Sequence, residues 1–307
     1  MPASLVLGSL VRSIQVGSLY ALMALGLTLT LTVLKLPNFA HAELITVGAY
    51  IALVASFLLT ANLPVILGLA FIGSALVAWL VHRTVYRPLG KLKLSTYAMI
   101  LASFAVGLIL RYILFLLVDR FNFFDQRIQV PTEVWVRTPN VVLTNIFFWT
   151  VPTALLLMMA LSLVLNRTDL GRQLRALADN ATLAQVIGIR TERVHDLTWL
   201  IVGGLAGVGG AFWGMYTSIN PLMGWLAILS VFAASVLGGM TSFSGTILGA
   251  YVVSFSENLL MQWLNFQFGL DFTFKPAVPF VIIILVLLFR PQGLTELGKS
   301  LRLVRSG

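Results

Sequence analysis

The sequence predicts an all-α, polytopic membrane protein, and three observations carry that prediction. Of 307 residues, 59% are hydrophobic and only 10% charged, with a mean hydropathy of +0.96; soluble domains carry about 25% charged residues. Apolar runs of span length recur along the chain, and no polar block is long enough for a separate soluble domain. Lys and Arg gather in three segments: four in 83–94, five in 166–196 and four in the C-terminal tail, of 20 in all. That is the positive-inside pattern, and it accounts for the net charge of +9 without invoking nucleic acid. Cysteine is absent, which excludes disulfides and thiolate metal sites.

Residues 5–34 open the chain. At about 1.5 Å per residue they exceed a hydrocarbon core of about 30 Å, so the segment is tilted and overlong or begins with an interfacial piece. Spans are expected near 44–61 and 64–82, with Asn62-Leu63-Pro64 as the turn between them, and near 95–118. A polar loop of balanced charge follows over 119–145. Further spans are expected near 146–165, 197–216, 226–240, 246–264 and 277–289. Eight or nine segments result. The three basic segments fall on one side, the cytoplasmic one. The parity then requires two passes, or a broken or re-entrant pair, between 226 and 264. The N-terminus is external if 5–34 crosses once.

Gly203-x-x-x-Gly207, Gly210-x-x-x-Gly214 and Gly245-x-x-x-Gly249 lie in apolar context and mark close helix packing. The Gly/Ser/Thr break from Leu237 to Gly245 reads as a tight turn or as a gate element.

Residues 169–193 are a polar island in this apolar chain. Leu170, Leu174, Leu177, Ala181 and Ala184 recur at steps of four and three, which makes one helical stripe. Asp169 is expected to cap the start, and Gly188 to stand just past the end, where a positive φ is usual. Thr191 is expected to begin the next helix. Such an island has to dock on something other than lipid or lie flat on the lipid surface.

No catalytic set is visible. His41, His82 and His195 are scattered, with the last two expected at span ends, and carboxylates are few. Residues Gly293 to Ser300 match G-x-x-x-x-G-K-S, but a phosphate-binding loop needs a preceding strand and a following helix. Here a span and Arg290-Pro291 precede it and seven residues follow, so Lys299 is read as part of a basic tail. The sequons at Asn166 and Asn180 fall in a segment expected to be cytoplasmic and are discounted.

Two polar features stand out. Pro37 breaks the first helix, and Asn38, His41 and Glu43 follow it. Freed backbone at membrane depth is tolerated where it lines a cavity or is buried in protein. The trio therefore either faces a solute path or makes an interfacial turn with Glu43 capping the next helix. Glu257 is the clearest intramembrane acid, and such a group faces the protein interior. It serves either function or an interhelical hydrogen bond. Arg111, seven residues from the end of its span, is expected to snorkel outward.

These residues also carry a resemblance. Asn38-Phe39-Ala40-His41-Ala42-Glu43, with Gly48-Ala49-Tyr50, is similar to the N-F-A-H-G-E…G-A-Y signature of branched-chain amino-acid ABC transporter permeases, the H-type subunit. Gly17 to Leu22 resembles that family's first helix. Arg175-Ala176 through Ala184, with Gly188-Ile189, resembles its coupling loop. Leu237-Gly238-Gly239 with Gly245 and Gly249, and Arg290-Pro291-Gln292-Gly293-Leu294, resemble two further stretches. Ala42 and Thr241 stand where the family usually has Gly.

The resemblance implies one permease domain over 1–307, with a cytoplasmic coupling loop at 166–196. It implies pairing with a second homologous permease, two ABC ATPase subunits on the cytoplasmic loops, and an extracytoplasmic solute-binding protein. ATP and Mg would be used by the ATPases, with no cofactor bound by this chain. Branched-chain or other hydrophobic amino acids are the implied solutes, with urea and short amides as the alternative within similar permeases. The path residues are then Asn38, His41, Glu43 and Glu257. The coupling residues are Leu174, Arg175, Leu177, Ala181, Ala184, Gly188 and Ile189. An ion-coupled carrier would be expected to show paired intramembrane ionisable groups, for which Glu257 alone is thin. A membrane-embedded enzyme lacks a catalytic set.

Overall fold

The computed structural model describes residues 2–289 apart from Leu36, 60–61, Lys93 and 139–140. The Gly293–Ser300 motif, the Arg290–Leu294 stretch and the basic tail lie outside the described residues.

The chain opens with α1 (Ala3–Leu34), breaks at Pro37, and resumes in α2 (His41–Leu58). Helix α3 (Leu63–Val81) carries Pro64 in its first turn, where a missing N–H costs nothing. It runs on through a π-turn at His82–Tyr86 into α4 (Arg87–Lys91). Ser95 caps α5 (Thr96–Phe121) by accepting from Ala98 N at 3.3 Å, and Asn122 ends it in the left-handed conformation. The polar loop then departs from irregular structure: β1 (Val134–Arg137) and β2 (Val142–Thr144) form a short antiparallel hairpin with a bulge between Val134 and Val136. Two valines flanking Trp135 are good strand formers on an exposed ribbon.

After α6 (Asn145–Arg167) come the island helices α7 (Asp169–Asp179) and α8 (Ala181–Val186), then α9 (Thr191–Tyr216). Helix α10 (Met223–Gly238) turns tightly into α11 (Phe243–Phe255). The turn uses positive φ at Gly239 and Met240, and Ser242 caps α11 by accepting from Gly245 N at 3.2 Å. The break forms a tight turn. Helix α11 continues through a π-turn at Ser256–Leu260 into α12 (Met261–Phe268), and α13 (Ala277–Phe289) closes the described chain.

Among the described residues, seven helices are long and apolar enough to cross a membrane: Ser4–Val33, His41–Leu58, Leu63–Lys91, Thr96–Phe121, Asn145–Arg167, Thr191–Tyr216 and Phe272–Phe289. Met223–Gly238 is apolar but shorter. Its 16 residues reach about 24 Å, less than a hydrocarbon core.

The helices fall into two compact units, each discontinuous in sequence. One holds the chain up to Thr28, Thr132–Leu156 and the described residues from Leu229 onward; the other holds Leu29–Pro131 and Leu157–Ile228. In the second unit, α2, α3 and α9 meet at glycines. A Cβ added at Gly210 would lie 1.9 Å from Ile45 O, and one at Gly48 would lie 2.3 Å from Gly207 Cα. Only hydrogen at these positions allows the backbones to approach so closely. In the first unit, hydroxyls link the helices. Thr28 Oγ1 lies 2.9 Å from both Ser235 and Thr246, Ser18 bonds the Tyr251 hydroxyl at 2.9 Å, and Ser254 donates to Ser13 O at 2.9 Å.

Candidate functional site

Two buried charge centres and the polar island are the candidates, and each is built by a local break in helix geometry. The first lies in the second unit. Lys35 (φ 53°) and Pro37 end α1, and Asn38 turns the chain: its Oδ1 accepts from Ala40 N at 3.1 Å and from the Tyr86 hydroxyl at 3.0 Å. Phe39 N donates to Ser103 Oγ at 3.2 Å. Asn38, His41 and Glu43 are all buried. Glu43 sits in the first turn of α2, where the helix dipole favours a carboxylate, but no side chain caps that helix at Ala40. The Glu43 hydrogen bonds instead cross to α5. Oε1 accepts from Arg111 Nε at 3.0 Å and Nη2 at 2.5 Å.

The expectation that Arg111 snorkels outward is therefore corrected. Its side chain is 12% exposed, and its guanidinium lies 4.5 Å from the centre of the Trp225 ring. A carboxylate as buried as Glu43 demands a counter-charge, and a cation over an indole face gains further attraction. The sequence held a signal for this. Arg111 is the one charge in the middle of its span, and a mid-span charge calls for a partner of opposite sign.

Glu257 holds the second centre, in the first unit, and stands in the π-turn after α11. Its Oε1 accepts from Ser230 at 2.5 Å and its Oε2 from the Tyr20 hydroxyl at 2.8 Å. Lys275 Nζ lies 4.0 Å from Oε2 and donates to Asn258 Oδ1 at 3.0 Å. These contacts join α1, α10 and the turn before α13 at one carboxylate. Tyr20, Ser230 and Lys275 were not singled out from the sequence.

The island departs from a single helix. Thr168, not Asp169, caps α7, accepting from Gly171 N at 3.4 Å; Asp169 is already helical and pairs with Arg172. Threonine here has the extended backbone an N-cap requires. Asn180 ends α7 and caps α8, accepting from Leu183 N at 3.0 Å. The stripe thus divides at Asn180. Leu174, Leu177 and Ala184 are buried, whereas Ala181 is exposed. Arg175 donates to the Leu165 carbonyl at the end of α6. Gly188 takes φ +88° and Thr191 begins α9, both as expected, and Ile189 N bonds back to Ala184 O at 3.0 Å. On the outer side of α8, Leu183, Val186 and Ile187 are 58%, 78% and 65% exposed.

Beside the island, Arg83 pairs with Asp196 at 3.3 Å and Arg87 with Glu192 at 2.5 Å, tying the π-turn and α4 to the start of α9. His82 stands at the end of α3, as expected, and is buried. Its ring stacks on Trp199 at 5.5 Å, as does that of Tyr86 at 4.9 Å.

Long apolar helices, charges paired inside helix bundles and one polar island with its own short helices define a multi-pass α-helical membrane protein. The sequence narrows this class. The chain belongs to the family described as the permease component of branched-chain amino acid transport systems, whose profile matches residues 9–288. It is 32% identical over 284 residues to the probable branched-chain amino acid transport permease protein LivH of Methanocaldococcus jannaschii, covering 91% of this chain and 89% of that one. It is 32% identical over 308 residues to the high-affinity branched-chain amino acid transport system permease protein BraD of Pseudomonas aeruginosa, covering 94% and 95%. With the corresponding LivH protein of Escherichia coli the identity is 29% over 304 residues, covering 92% and 93%. Among solved structures, PsaBC from Streptococcus pneumoniae in complex with Fab aligns over 94% of this chain and 92% of that chain, with a TM-score of 0.47 at 16% identity.

Proposed function

We propose that this chain is the membrane-path subunit of an ATP-driven importer of branched-chain or other hydrophobic amino acids. The relatives' names favour amino acids over urea or short amides. The subunit acts as a single permease domain beside a second homologous permease. Two ABC ATPase subunits, which use ATP and Mg, engage its cytoplasmic side, and an extracytoplasmic binding protein delivers the solute. Loops 83–94 and 166–196 and the C-terminal tail are cytoplasmic, by the positive-inside bias.

The island carries this reading. Leu174, Leu177 and Ala184 anchor it inward, and Arg175 holds it to the end of α6, so its outer face is presented as a firm body. Leu183, Val186 and Ile187 leave apolar surface on a polar loop, which is the signature of a docking face. Gly188 and Ile189 then lead into α9, whose first turns carry Glu192 and Asp196 in their pairs with Arg87 and Arg83. Closure of the ATPases thereby moves α9 and α3 together. Asn38, His41, Glu43 and Glu257 are the residues assigned to the solute path. A coupling loop must bind its motor differently in two states, or it shifts no equilibrium.

The test is a pull-down of the tagged chain from membranes with partners identified by mass spectrometry. Recovery of an ATPase and a second permease, lost when 169–193 is scrambled, supports this reading. Recovery of the chain alone, competent for uptake in vesicles without ATP, overturns it in favour of an ion-coupled carrier.

A further inference from the structure

Glu43 and Arg111 form the most buried Lys or Arg ion pair among the described residues, and the pair is incompletely satisfied. Arg111 places both Nε and Nη2 on Glu43 Oε1. The other oxygen, Oε2, is buried with no hydrogen-bond partner among the described residues. A buried carboxylate has about four acceptor sites and a guanidinium five donors, so each group retains unused capacity. Aromatic rings adjoin the pair. Trp225 lies under the guanidinium, Phe104 meets Trp225 edge-on at 6.0 Å, and Phe39 meets Phe104 at 6.3 Å.

Opening such a pair strands two charges in a poorly solvated site. A solute bearing only a cation replaces Arg111 at Glu43 but leaves Arg111 alone. A solute bearing only an anion does the reverse. A neutral solute leaves both stranded. A zwitterionic α-amino acid supplies an ammonium with three donors and a carboxylate that fits the guanidinium fork. It satisfies both groups at once, and the aromatic wall suits a branched aliphatic side chain.

We propose that Glu43 and Arg111 are a zwitterion-exchange site. The solute's α-ammonium takes the place of Arg111 at Glu43, and its α-carboxylate takes the place of Glu43 at Arg111, with the side chain against Trp225 and Phe104. The pair is closed when empty and opens for molecules carrying both charges. This deepens the amino-acid reading above and rests on it.

The experiment uses the whole assembly, binding protein included, in vesicles. ATP-driven leucine uptake is measured first. Photo-leucine, a diazirine analogue that keeps the α-amino and α-carboxyl groups, is then crosslinked during turnover and the labelled peptides are mapped. Label is expected on the segments holding Phe104–Arg111 and Trp225. Excess leucine should suppress it, whereas isoamylamine and 4-methylpentanoate, each with one of the two charges, should protect at least tenfold less. The double variant E43Q/R111Q, which removes both charges, should lose label and uptake at least tenfold. Label elsewhere, equal protection by either single-charged analogue, or wild-type uptake by the double variant would overturn the site. Should the variant fail to assemble, competition on the wild-type assembly decides alone. Absence of leucine uptake by the wild type would instead defeat the amino-acid reading, and this inference with it.

Discussion

The Tyr86 hydroxyl donates to Asn38 Oδ1 at 3.0 Å, so the π-turn after α3 holds the turn that separates α1 from α2. Tyr86 also stacks on Trp199 of α9. One side chain therefore links the segment bearing Arg83 and Arg87, which pairs with the start of α9, to the polar turn ahead of Glu43. Replacing Tyr86 with Phe keeps the stack and deletes the hydrogen bond. Asn38 Oδ1 keeps its bond from Ala40 N, so the loss is that of one hydrogen bond, about 0.5–1.5 kcal/mol. A lower thermal unfolding midpoint of the purified protein is expected, together with reduced leucine uptake at unchanged membrane level. An unchanged midpoint and unchanged uptake would mean that this bond neither supports nor couples the turn.

Glycine contacts make a sharper forecast. Gly210→Ala places a methyl group 1.9 Å from Ile45 O, a backbone atom that cannot rotate away. Overpacking of this kind costs about 1–3 kcal/mol or more. Little monodisperse protein is expected by size-exclusion chromatography. Gly68→Ala, with nothing within 4 Å of the added Cβ, should behave as wild type. Equal yields of the two variants would contradict the packing of α2 on α9.

The island separates two kinds of damage. Val186→Asp or Ile187→Asp changes an exposed apolar face and should abolish copurification of the ATPase while leaving the chain inserted and stable. Leu177→Asp buries a charge under the island, and Gly188→Pro removes both the positive φ and the N–H that bonds Gln185 O at 3.0 Å. Both should abolish uptake by unfolding the loop, read as new protease sensitivity between 169 and 193. ATPase recovery with Val186→Asp equal to wild type would move the docking face elsewhere.

Glu257 offers a double-mutant cycle. Glu257→Ala leaves Ser230, Tyr20 and Lys275 without their shared carboxylate. Breaking a buried pair by removing one partner costs about 3–5 kcal/mol, and replacing both partners costs much less. Glu257→Gln should be milder, since an amide keeps a hydrogen bond to each hydroxyl. Adding Lys275→Met to Glu257→Ala should recover part of the lost thermal stability. Additive losses would show that the two charges do not interact.

Much of the architecture was legible because its causes are local. Apolar length sets where helices can cross, Pro37 and the Asn62–Pro64 turn interrupt them, and Gly188 and Thr191 mark a helix end and the next start within a few residues. The island stood out through composition alone. Its division at Asn180 was harder to see, because Asn180 both ends α7 and caps α8, while the Leu and Ala spacing runs on across it. The hairpin at 134–144 was hidden inside a loop whose charges drew more notice than its β-branched residues.

The sequence by itself determined that this chain is a helical membrane protein, where its basic segments lie, and that Asn38, Glu43, Arg111 and Glu257 are costly polar groups in apolar surroundings. Only the tertiary structure decided what each of them faces. Glu43 meets Arg111 across 68 positions, and Glu257 meets Tyr20 across 237. Helix periodicity fixes a residue's neighbours over one or two turns, whereas the partner of a buried charge is set by which helices pack together. That choice rests on close approaches such as Gly210 against Ile45, which no local pattern records.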